Sequence, residues 1–487
     1  MKKTKITVTL GPSSCSAADI AALTRAGMDI ARINLSHGDR GNHGELIKNL
    51  KKVRKKLNKH TAILLDTRGP EIRVGQIDEP LMLIEGRTVS ISGRFTKCSI
   101  QQISVNHTGL ARDVRAGDKV LLDDGKIKLC VESVEGDDIL CRILVGGLLA
   151  SRKRVSVPGV DVDLPPLSEE DRSDILFGIE QEVDFIAASF IRKAEDVQAI
   201  RSILDENGGS QDIIAKIENR QGVKNIEEIL EVSDGLMVAR GDLGVELPAE
   251  EVPVIQKRLI KAANAAGKPI ITATQMLESM ITSPSPTRAE ASDVTNAVMD
   301  GTDAVMLSGE TAMGKYPIDA VKFLTRCTEI TEAALDYQSM LSAGLRRNRD
   351  IVADAIAYAS CATAADLLAA AIVTVTSSGS TARKVAMYRP ASPIIAVGSV
   401  KKSIRKLQLI RGVTPLLCKS GATMNKEIKN GIKAALLHGL LETGDTVVIT
   451  AGLPLHTAGT TNMLRVHIIE QEKENTGVQN AVLSSTL

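Results

Sequence analysis

The sequence predicts an α/β protein built around a (β/α)8 barrel, with a β-rich lid domain inserted into the barrel and a further α/β domain after it. Three observations support this fold class. Eight short apolar runs alternate with helical patterns up to residue 338, the helical patterns disappear between residues 70 and 166, and a new strand–helix alternation follows residue 339. Eight strand–helix units are the number that closes a (β/α)8 barrel.

The first part of the barrel contains three predicted strands, which are Lys5–Leu10, Ile30–Leu35 and Ala62–Leu65. A helix is expected after the first strand because Ser16 precedes Asp19 by three residues, which is the spacing of a capping box. After the second strand, apolar residues recur every three or four positions from 46 to 57, which is the period of an amphipathic helix.

The insertion lacks this helical period. It consists of short strand-like pieces separated by turns, and we expect residues 70–166 to form an all-β lid domain. This insertion divides the catalytic barrel into residues 1–69 and 167–338. The predicted strands of the lid are Leu81–Ile84, Thr88–Ile91, Val120–Leu122, Lys126–Val131 and Ile139–Val145.

The barrel pattern resumes at Ser168, which with Asp171 has the residues of a second capping box. A later helix is expected from about residue 250 to 266, because Pro253 suits its first turn and Gly267 suits its end. The five remaining strands of the barrel are predicted at Phe185–Ala188, Ile213–Ile217, Leu236–Ala239, Pro269–Thr272 and Ala304–Leu307.

The last part of the chain predicts a separate α/β domain over residues 339–474. A helix rich in small residues is expected at Ile351–Ala370. The polar residues 475–487 are expected to form a flexible tail. The predicted strands of this domain are Ile372–Val375, Ile394–Val397, Val413–Leu417 and Val447–Thr450.

Composition argues against several classes of function. The net charge is +1 and aromatic residues make up 2% of the chain, so neither a basic surface nor a base-stacking platform for nucleic acid is expected. No apolar run is long enough to span a bilayer, and the lysine-rich start does not resemble a secretion signal. Seven scattered cysteines without a CxxC pair suit a reducing compartment. A cytoplasmic protein that binds neither nucleic acid nor membrane is therefore expected.

Charged residues follow the fifth and sixth barrel strands. Lys216 and Glu218 lie at the end of the fifth strand, and Arg240 and Asp242 follow the sixth. The carboxyl ends of barrel strands converge on the active site. Two carboxylates there can share Mg²⁺, which leaves positions open for substrate phosphates, and a lysine can stabilise a transferring group. The alternative is that these carboxylates form simple salt bridges with Lys216 and Arg240.

Four residues with side-chain oxygens follow the second and third strands: Asn34, Ser36, Asp66 and Thr67. Because only one of them is charged, the group suits a monovalent cation better than Mg²⁺. The alternative is turn capping, which is the commonest role of these residue types.

Three other residues at the same rim suit phosphate chemistry. Arg32 and Arg73 could each bind a phosphate or carboxylate through the guanidinium fork, although a lone arginine more often forms a surface salt bridge. Thr274 follows the seventh strand and could hydrogen-bond substrate, relay a proton or cap the strand end.

A hydroxyl-rich loop, Thr376–Thr381, lies between a strand and a helix of the last domain. Small residues ahead of a helix start suit an anion site. An ordinary strand-to-helix turn is the alternative.

Eight segments of the chain resemble the pyruvate kinase family, and they occur in the family's order. They are ARINLSHG (Ala31–Gly38), LDTRGPEIR (Leu65–Arg73), ASFIRKAEDV (Ala188–Val197), AKIENRQGV (Ala215–Val223), GLMVARGDLGVELP (Gly235–Pro248), TATQMLESM (Thr272–Met280), the run from Pro286 to Ala312, and YRP (Tyr388–Pro390). The resemblance implies transfer of a phosphoryl group from phosphoenolpyruvate to ADP, giving pyruvate and ATP in the last step of glycolysis. It also implies a C-terminal regulatory domain and a homotetramer.

The resemblance further implies a role for each matching residue. Lys216, Arg32 and Thr274 would be catalytic, although the proton donor to the enolate stays open between Thr274 and an ordered water. The implied sites are as follows: for substrate, Arg32, Gly241, Asp242 and Thr274; for nucleotide, Asn34, Arg73 and Lys153; for Mg²⁺ or Mn²⁺, Glu218 and Asp242; for K⁺, Asn34, Ser36, Asp66 and Thr67; and for an effector, Thr376, Ser377, Ser378, Gly379, Ser380 and Thr381.

The resemblance also bears on regulation and cofactors. Family members with an acidic residue at the position of Glu71 depend on K⁺, and this chain has that residue. The loop Gly452–Gly459 lacks the Trp and Arg that hold the second phosphate of fructose-1,6-bisphosphate in the eukaryotic type. AMP, ribose 5-phosphate or no effector is therefore expected. The chain is expected to lack the extra phosphohistidine-type domain of some bacterial members.

Two alternative functions remain open at this point. One is another barrel enzyme of phosphoenolpyruvate or 2-oxo-acid chemistry, such as an Mg²⁺-dependent aldolase, which would need neither the lid nor Lys216. The other is a catalytically silent homologue that senses a metabolite. Substitution of Lys216, Glu218 or Asp242 would favour the silent homologue, and all three are present.

Overall fold

A computed structural model of the chain describes residues 2–94, 97–344, 351–454, 457 and 459–470. The predicted tail, 475–487, and positions 455, 456 and 458 of the Gly452–Gly459 loop lie outside these residues. One compact unit extends to Asp336 and includes Lys401–Pro415, and a second begins at Tyr337 and resumes at Leu416.

The chain up to the insertion contains β1 (Lys5–Thr9), α1 (Ala17–Ala26), β2 (Ile30–Asn34), α2 (Arg40–Lys56) and β3 (Ala62–Asp66). The insertion contains β4 (Ile72–Arg73), β5 (Leu81–Leu83), β6 (Thr88–Ser92), β7 (Gln102–Ser104), α3 (Leu110–Asp113), β8 (Lys119–Leu122), β9 (Ile127–Glu135), β10 (Asp138–Val145), β11 (Gly147–Leu149) and β12 (Arg154–Ser156).

After the insertion the elements are α4 (Glu169–Glu180), β13 (Phe185–Ala188), α5 (Ala194–Glu206), β14 (Asp212–Ile217), α6 (Arg220–Lys224), α7 (Ile226–Val232), β15 (Gly235–Ala239), α8 (Arg240–Glu246), α9 (Val252–Ala266), β16 (Ile270–Ala273), α10 (Arg288–Asp300), β17 (Ala304–Leu307), α11 (Gly309–Ala312) and α12 (Pro317–Ala333).

The last part of the chain contains α13 (Tyr337–Gly344), α14 (Val352–Asp366), β18 (Ala371–Val375), α15 (Ser380–Ala386), β19 (Ile394–Gly398), α16 (Lys401–Lys406), β20 (Val413–Leu417), α17 (Met424–Leu437), β21 (Thr446–Gly452) and β22 (Thr461–Ile468). Short 3-10 turns occupy Pro12–Ser14, Glu278–Ile281 and Leu407–Leu409.

Eight parallel strands close into a barrel in the order β1-β17-β16-β15-β14-β13-β3-β2. The predicted fold class is therefore confirmed. Nearly every residue of these strands is buried, because helices cover the outside of the barrel and side chains fill its inside. The inner cluster includes Phe185, Ile214, Met237 and Met306.

The helix starts follow the predicted caps. The Ser16 hydroxyl accepts a hydrogen bond from the Asp19 N–H at 3.1 Å, and Ser168 with Asp171 forms a reciprocal capping box at the start of α4. Gly267 ends α9 in the left-handed conformation, at φ 69°, which glycine adopts without strain. These caps fix where each helix leaves its strand.

The segment Lys401–Pro415 belongs to the barrel unit, although it lies within the range 339–474 predicted for the C-terminal domain. Arg405 bonds Asp184 at 2.6 Å, and Lys406 bonds Asp212 at 2.6 Å. Both carboxylates lie at the amino ends of barrel strands. The segment therefore covers the face of the barrel opposite the predicted site, and the boundaries of the domains stay a prediction.

The insertion forms a seven-stranded sheet in the order β4-β12-β8-β9-β10-β6-β7 with its own apolar core, and β5 pairs with β11. The expectation of an all-β lid did not include α3, which is too short to show a helical period. Strands β4, β7, β11 and β12 were not predicted either, because each has only two or three residues.

The second unit contains a five-stranded sheet in the order β20-β19-β18-β21-β22. Strand β22 runs antiparallel to β21 and was not predicted. The predicted helix Ile351–Ala370 ends earlier, at Asp366, because Leu368 takes a left-handed conformation at φ 47°. The Ala369 N–H then bonds the Ala364 carbonyl and closes the helix end.

Within the described part of the chain, no helix combines the length and the apolar character needed to cross a bilayer.

Candidate active site

Asp66 joins two cations at the mouth of the barrel. It ends β3, is fully buried, and its two oxygens take different partners: Oδ2 bonds Arg32 Nε at 2.6 Å, and Oδ1 bonds Lys216 Nζ at 2.9 Å. Burial raises the pKa of Asp66, but the two cations outweigh burial and leave the pKa below its ordinary value. Asp66 is therefore ionised and holds both cations in place.

Lys216 is fixed from three sides. Its ammonium group lies 3.0 Å from Glu218 Oε1 and donates to the Ser189 hydroxyl at 2.7 Å, besides its bond to Asp66. Burial lowers the pKa of Lys216, yet Asp66 and Glu218 outweigh burial and raise it above its ordinary value. Lys216 thus presents a fixed, protonated charge, in agreement with the predicted cluster.

Glu218 is a buried carboxylate whose charge is only partly compensated. Its Oε2 accepts the Phe190 N–H at 2.6 Å. Burial, with a further contribution from the charge of Asp242, raises the pKa of Glu218 to about 7 despite the nearby Lys216. A divalent cation bound by Glu218 and Asp242 would remove this repulsion, and carboxylate oxygens are the ligands that Mg²⁺ prefers. The two residues therefore fit such a cation.

The described residues contain no group of three or more His, Cys, Asp and Glu side chains arranged to hold a metal. A site made by two carboxylates leaves coordination positions for substrate oxygens and water, which is how Mg²⁺ is usually bound in phosphate chemistry.

Asp242 pairs with a lid residue rather than with Arg240. Arg154 Nη1 lies 2.5 Å from Asp242 Oδ1, and Arg154 Nε lies 3.8 Å from Glu71 Oε1. The guanidinium also stacks over the Phe190 ring, 4.6 Å from its centre. The alternative that Glu218 and Asp242 form salt bridges with Lys216 and Arg240 is thus half right. Lys216 pairs with Glu218, but Arg240 pairs with Asp293 instead of Asp242.

Arg240 braces the loop after β16. Its Nη1 lies 2.8 and 2.7 Å from the two carboxylate oxygens of Asp293, and its Nη2 donates to the Thr274 carbonyl at 2.6 Å. Thr274 has a positive φ of 65°. Its hydroxyl accepts the Gly241 N–H at 2.8 Å and donates to the Ala273 carbonyl at 2.6 Å. The structure thus places Thr274 and Gly241 side by side, and their shared role in binding substrate stays a prediction.

The four predicted K⁺ ligands lie on adjacent strand ends. Asn34 faces Asp66 in the register of β2 and β3, and Asn34 Oδ1 accepts the Ser36 N–H at 3.1 Å. The Thr67 hydroxyl oxygen accepts the Ser189 N–H at 3.3 Å. Asp66 already compensates two protein cations, so a monovalent cation here would share that carboxylate and depend on the neutral oxygens.

The predicted nucleotide residues Arg73 and Lys153 belong to the lid and are partly exposed. Arg73 ends β4, pairs with Glu71 and donates to the Arg152 carbonyl at 2.9 Å. Lys153 immediately precedes β12 and bonds Asp123 Oδ1 at 2.8 Å. Strands β4 and β12 pair with each other, so one edge of the lid carries both cations.

The loop Thr376–Thr381 lines a pocket in the second unit. The Gly379 N–H donates to the Thr376 hydroxyl at 2.9 Å, and the Thr381 and Thr461 hydroxyls lie 2.8 Å apart. Gly379 needs its left-handed φ of 90° for this turn. The Glu427 carboxylate lines the same pocket, which a reading of the loop alone could not show.

Three residues of the site were not predicted from the sequence. Ser189 and Phe190 follow β13 directly, so the strand-end rule used for the other residues could have found them. Arg154 lies on a three-residue strand of the lid, and no local pattern indicates that its side chain reaches the barrel.

Comparisons with known proteins identify the family. The model of the pyruvate kinase barrel domain matches residues 1–321, and that of the pyruvate kinase alpha/beta domain matches residues 354–467. The chain is 48% identical to a pyruvate kinase of Clostridium acetobutylicum over 96% of this chain and 100% of that protein. It is 50% identical to one of Geobacillus stearothermophilus over 96% of this chain and 80% of that protein. The chain therefore belongs to the pyruvate kinase family of phosphotransferase enzymes.

Proposed function

We propose that this enzyme transfers the phosphoryl group of phosphoenolpyruvate to ADP, giving pyruvate and ATP in the last step of glycolysis. The observation that carries the proposal is the buried Lys216 ammonium at the barrel mouth, 2.9 Å from Asp66 and 3.0 Å from Glu218. Phosphoryl transfer depends mainly on alignment and charge neutralisation rather than on covalent help from the protein. A fixed ammonium group beside an arginine meets this need.

The two cations divide the work. Arg32, aligned by Asp66 and by Thr9 at 3.0 Å, binds the phosphoryl oxygens of the substrate. Lys216 stabilises the transferring phosphoryl group and the negative charge that develops on the enolate oxygen. Because both cations are already held by carboxylate partners, they need little reorganisation when charge moves in the transition state.

Cofactors complete the charge balance. Glu218 and Asp242 hold Mg²⁺ or Mn²⁺, which supplies neutralising charge to the substrate oxygens when bound. The neutral oxygens of Asn34, Ser36 and Thr67, with the Asp66 carboxylate, hold K⁺. Both assignments rest on donor chemistry and on the family resemblance.

Gly241, Asp242 and Thr274 line the site for the substrate carboxylate. After transfer, the enolate carbon must gain a proton. The Thr274 hydroxyl now donates to the Ala273 carbonyl, so it must turn toward the substrate before it can pass a proton on. An ordered water beside Thr274 is the other candidate for this donor.

The lid supplies the nucleotide contacts. Arg73 and Lys153 bind the phosphates of ADP or ATP, with Asn34 at the barrel rim. Their present partners are carboxylates, Glu71 and Asp123, so a nucleotide phosphate would exchange one anionic partner for another. Closure of the lid would exclude water from the transfer step.

Regulation is proposed to act through the loop Thr376–Thr381 in a homotetramer. Its hydroxyls and N–H groups suit one phosphate, while Glu427 across the pocket suits the hydroxyls of a sugar. AMP and ribose 5-phosphate carry both features. We also propose a cytoplasmic location, which agrees with seven cysteines that are all free thiols.

The first experiment measures pyruvate formation from phosphoenolpyruvate and ADP with Mg²⁺, in K⁺ or in Na⁺ at equal ionic strength. Turnover that requires K⁺ supports the rim assignment. Turnover without a preference for K⁺ contradicts the K⁺ site at the rim but leaves the proposed activity standing. No turnover in folded protein contradicts the proposed activity and favours the metabolite sensor.

A parallel panel adds AMP, ribose 5-phosphate or fructose-1,6-bisphosphate at subsaturating phosphoenolpyruvate. Activation by either monophosphate supports the effector assignment. Activation by the bisphosphate alone, or by none of the three, contradicts it.

A further inference from the structure

Arg154 lies where the lid meets the predicted metal ligands. It is the first residue of β12. Its side chain extends from the lid sheet to Asp242 of the barrel and is only 10% exposed. One guanidinium nitrogen is 2.5 Å from Asp242, another is 3.8 Å from Glu71, and the planar group rests on the Phe190 ring. The contact with Asp242, whose side chain is partly exposed, is a charge-assisted hydrogen bond, which is stronger than one between neutral groups.

This arrangement gives each predicted metal ligand a protein cation as its partner. Lys216 compensates Glu218, and Arg154 compensates Asp242. A carboxylate oxygen engaged by a guanidinium at 2.5 Å offers less of its electron density to a metal. A divalent cation that uses both carboxylates must therefore weaken or displace the Arg154 contact.

A displaced guanidinium would have other partners close by. Glu71 and Glu246 line a pocket that also includes Arg154 and Phe190, between the base of the lid and the barrel. The guanidinium could move toward these carboxylates without losing its stacking partner. Displacement thus avoids leaving a buried charge without compensation, which would be costly.

We propose that Arg154 is a positioning residue that occupies Asp242 in the metal-free enzyme and sets the affinity for the divalent cation by competing with it. Because Arg154 belongs to the lid, cation binding then changes the link between the lid and the barrel. This inference rests on the proposed function, in which Glu218 and Asp242 bind the cation.

The test measures Mn²⁺ binding to the full-length enzyme without substrates, from the electron paramagnetic resonance signal of free Mn²⁺. Arg154→Met keeps the length and the apolar stem but removes the charge, so its Kd for Mn²⁺ should fall by about tenfold or more. Arg154→Lys keeps the positive charge but lacks the guanidinium fork. Its Kd for Mn²⁺ should therefore lie between that of the wild type and that of Arg154→Met. Arg142→Met is the matched control, since Arg142 is a lid arginine paired with Glu132, and its Kd should not change.

An unchanged or higher Kd for Mn²⁺ in both Arg154 variants overturns the inference. So does a fall in the Kd of Arg142→Met as large as that of Arg154→Met. Asp242→Asn separates this failure from that of the proposed function. If Asp242→Asn weakens Mn²⁺ binding while the Arg154 variants bind like wild type, only the inference fails. If Asp242→Asn has no effect, the metal assignment itself fails. Thermal unfolding verifies that each variant is folded, and Arg154→Lys keeps the test decisive if Arg154→Met does not fold.

Discussion

Asp66 illustrates how one buried carboxylate can hold the two cations of the proposed active site. It is shared between Arg32 and Lys216, at 2.6 and 2.9 Å, and it is buried enough that water cannot replace either partner. Two buried cations side by side would repel each other without this anion. The pair can therefore await an anionic substrate at fixed positions, which is the preorganisation that electrostatic catalysis needs.

Replacing Lys216 by Met tests the central charge. Met fills a similar volume, so the fold and the binding of phosphoenolpyruvate should persist. The turnover number should fall by at least about 10²–10³-fold, because the charge on the transferring group is no longer compensated. Steady-state kinetics and equilibrium dialysis of phosphoenolpyruvate measure the two effects. Lys224→Met, at an exposed position of α6, is the control; near-normal turnover in Lys216→Met would remove Lys216 from its role.

Ser189→Ala tests whether the position of Lys216 matters as well as its charge. The Ser189 hydroxyl accepts from Lys216 at 2.7 Å and donates to the Thr67 carbonyl at 2.7 Å. A hydrogen bond to a charged group contributes about 1.5 kcal/mol or more, so the turnover number should fall by about tenfold. The KM for phosphoenolpyruvate should stay near the wild-type value. A change confined to KM would instead indicate that Ser189 helps to bind substrate.

The sequence allowed prediction of the charged core of the site but not of its partners. Lys216, Glu218 and Asp242 lie at the carboxyl ends of predicted barrel strands, and the geometry of the fold brings these ends together. The direction of Arg240 could not be predicted, because its carboxylate partner, Asp293, lies on a helix that follows the next strand. Arg154 was missed for a similar reason, since its partner is distant in sequence.

Among the elements, the barrel strands were predicted within one or two residues. Buried parallel strands appear in the sequence as apolar runs. Each barrel strand here ends in a polar residue or is followed directly by one. The lid was harder, because β4 and β12 are too short to show alternation. Yet these two strands carry Arg73 and Arg154. One of the strands that were hardest to predict, β12, therefore carries Arg154, which contacts Asp242 and Phe190 of the barrel.

Strand β1 carries a prediction about stability and pH. Lys5 is buried, and its ammonium donates to the Val413 carbonyl at 2.6 Å. Burial lowers its pKa from 10.5 to about 8, against the opposing effects of Asp29 and Glu332. The unfolded chain binds this proton more tightly, so the charged form costs about 3 kcal/mol of folding free energy below pH 8.

Lys5→Met should therefore stabilise the barrel at pH 7 by about 1–2 kcal/mol, after about 1 kcal/mol is subtracted for the lost hydrogen bond. As pH rises from 8 to 10.5, the folded wild-type protein releases the Lys5 proton and its free energy of unfolding increases. Near pH 10.5 the unfolded lysine also loses its proton, and the increase ends. The difference between the two proteins should shrink over this window. Urea unfolding at pH 7, 9 and 10.5 measures it. Lys48→Met, at an exposed position of α2, should show no such trend; a difference that is constant with pH would mean that Lys5 stays charged.

At the scale of the whole molecule, two units divide the proposed work. The barrel unit contains the proposed catalytic residues, and the second unit contains the pocket lined by Thr376–Thr381. A strand–helix alternation predicted the second unit without predicting its ligand, because a hydroxyl-rich turn serves equally as a cap and as an anion site. Whether the pocket regulates the barrel is a question of coupling free energy between two binding sites, and coupling must be reciprocal.

Reciprocity gives a test that does not depend on turnover. If ribose 5-phosphate or AMP tightens the binding of phosphoenolpyruvate by some factor, then phosphoenolpyruvate must tighten the binding of that effector by the same factor, typically about 5–150-fold. Isothermal titration of the effector with Mg²⁺, K⁺ and no ADP, with and without saturating phosphoenolpyruvate, measures one factor. The reverse titration measures the other. Ser378→Asp, which places a negative charge in the loop, should abolish effector binding and with it both factors. An effector that binds the loop with the same affinity whether or not phosphoenolpyruvate is present would show that the pocket is a binding site without regulatory coupling to the barrel.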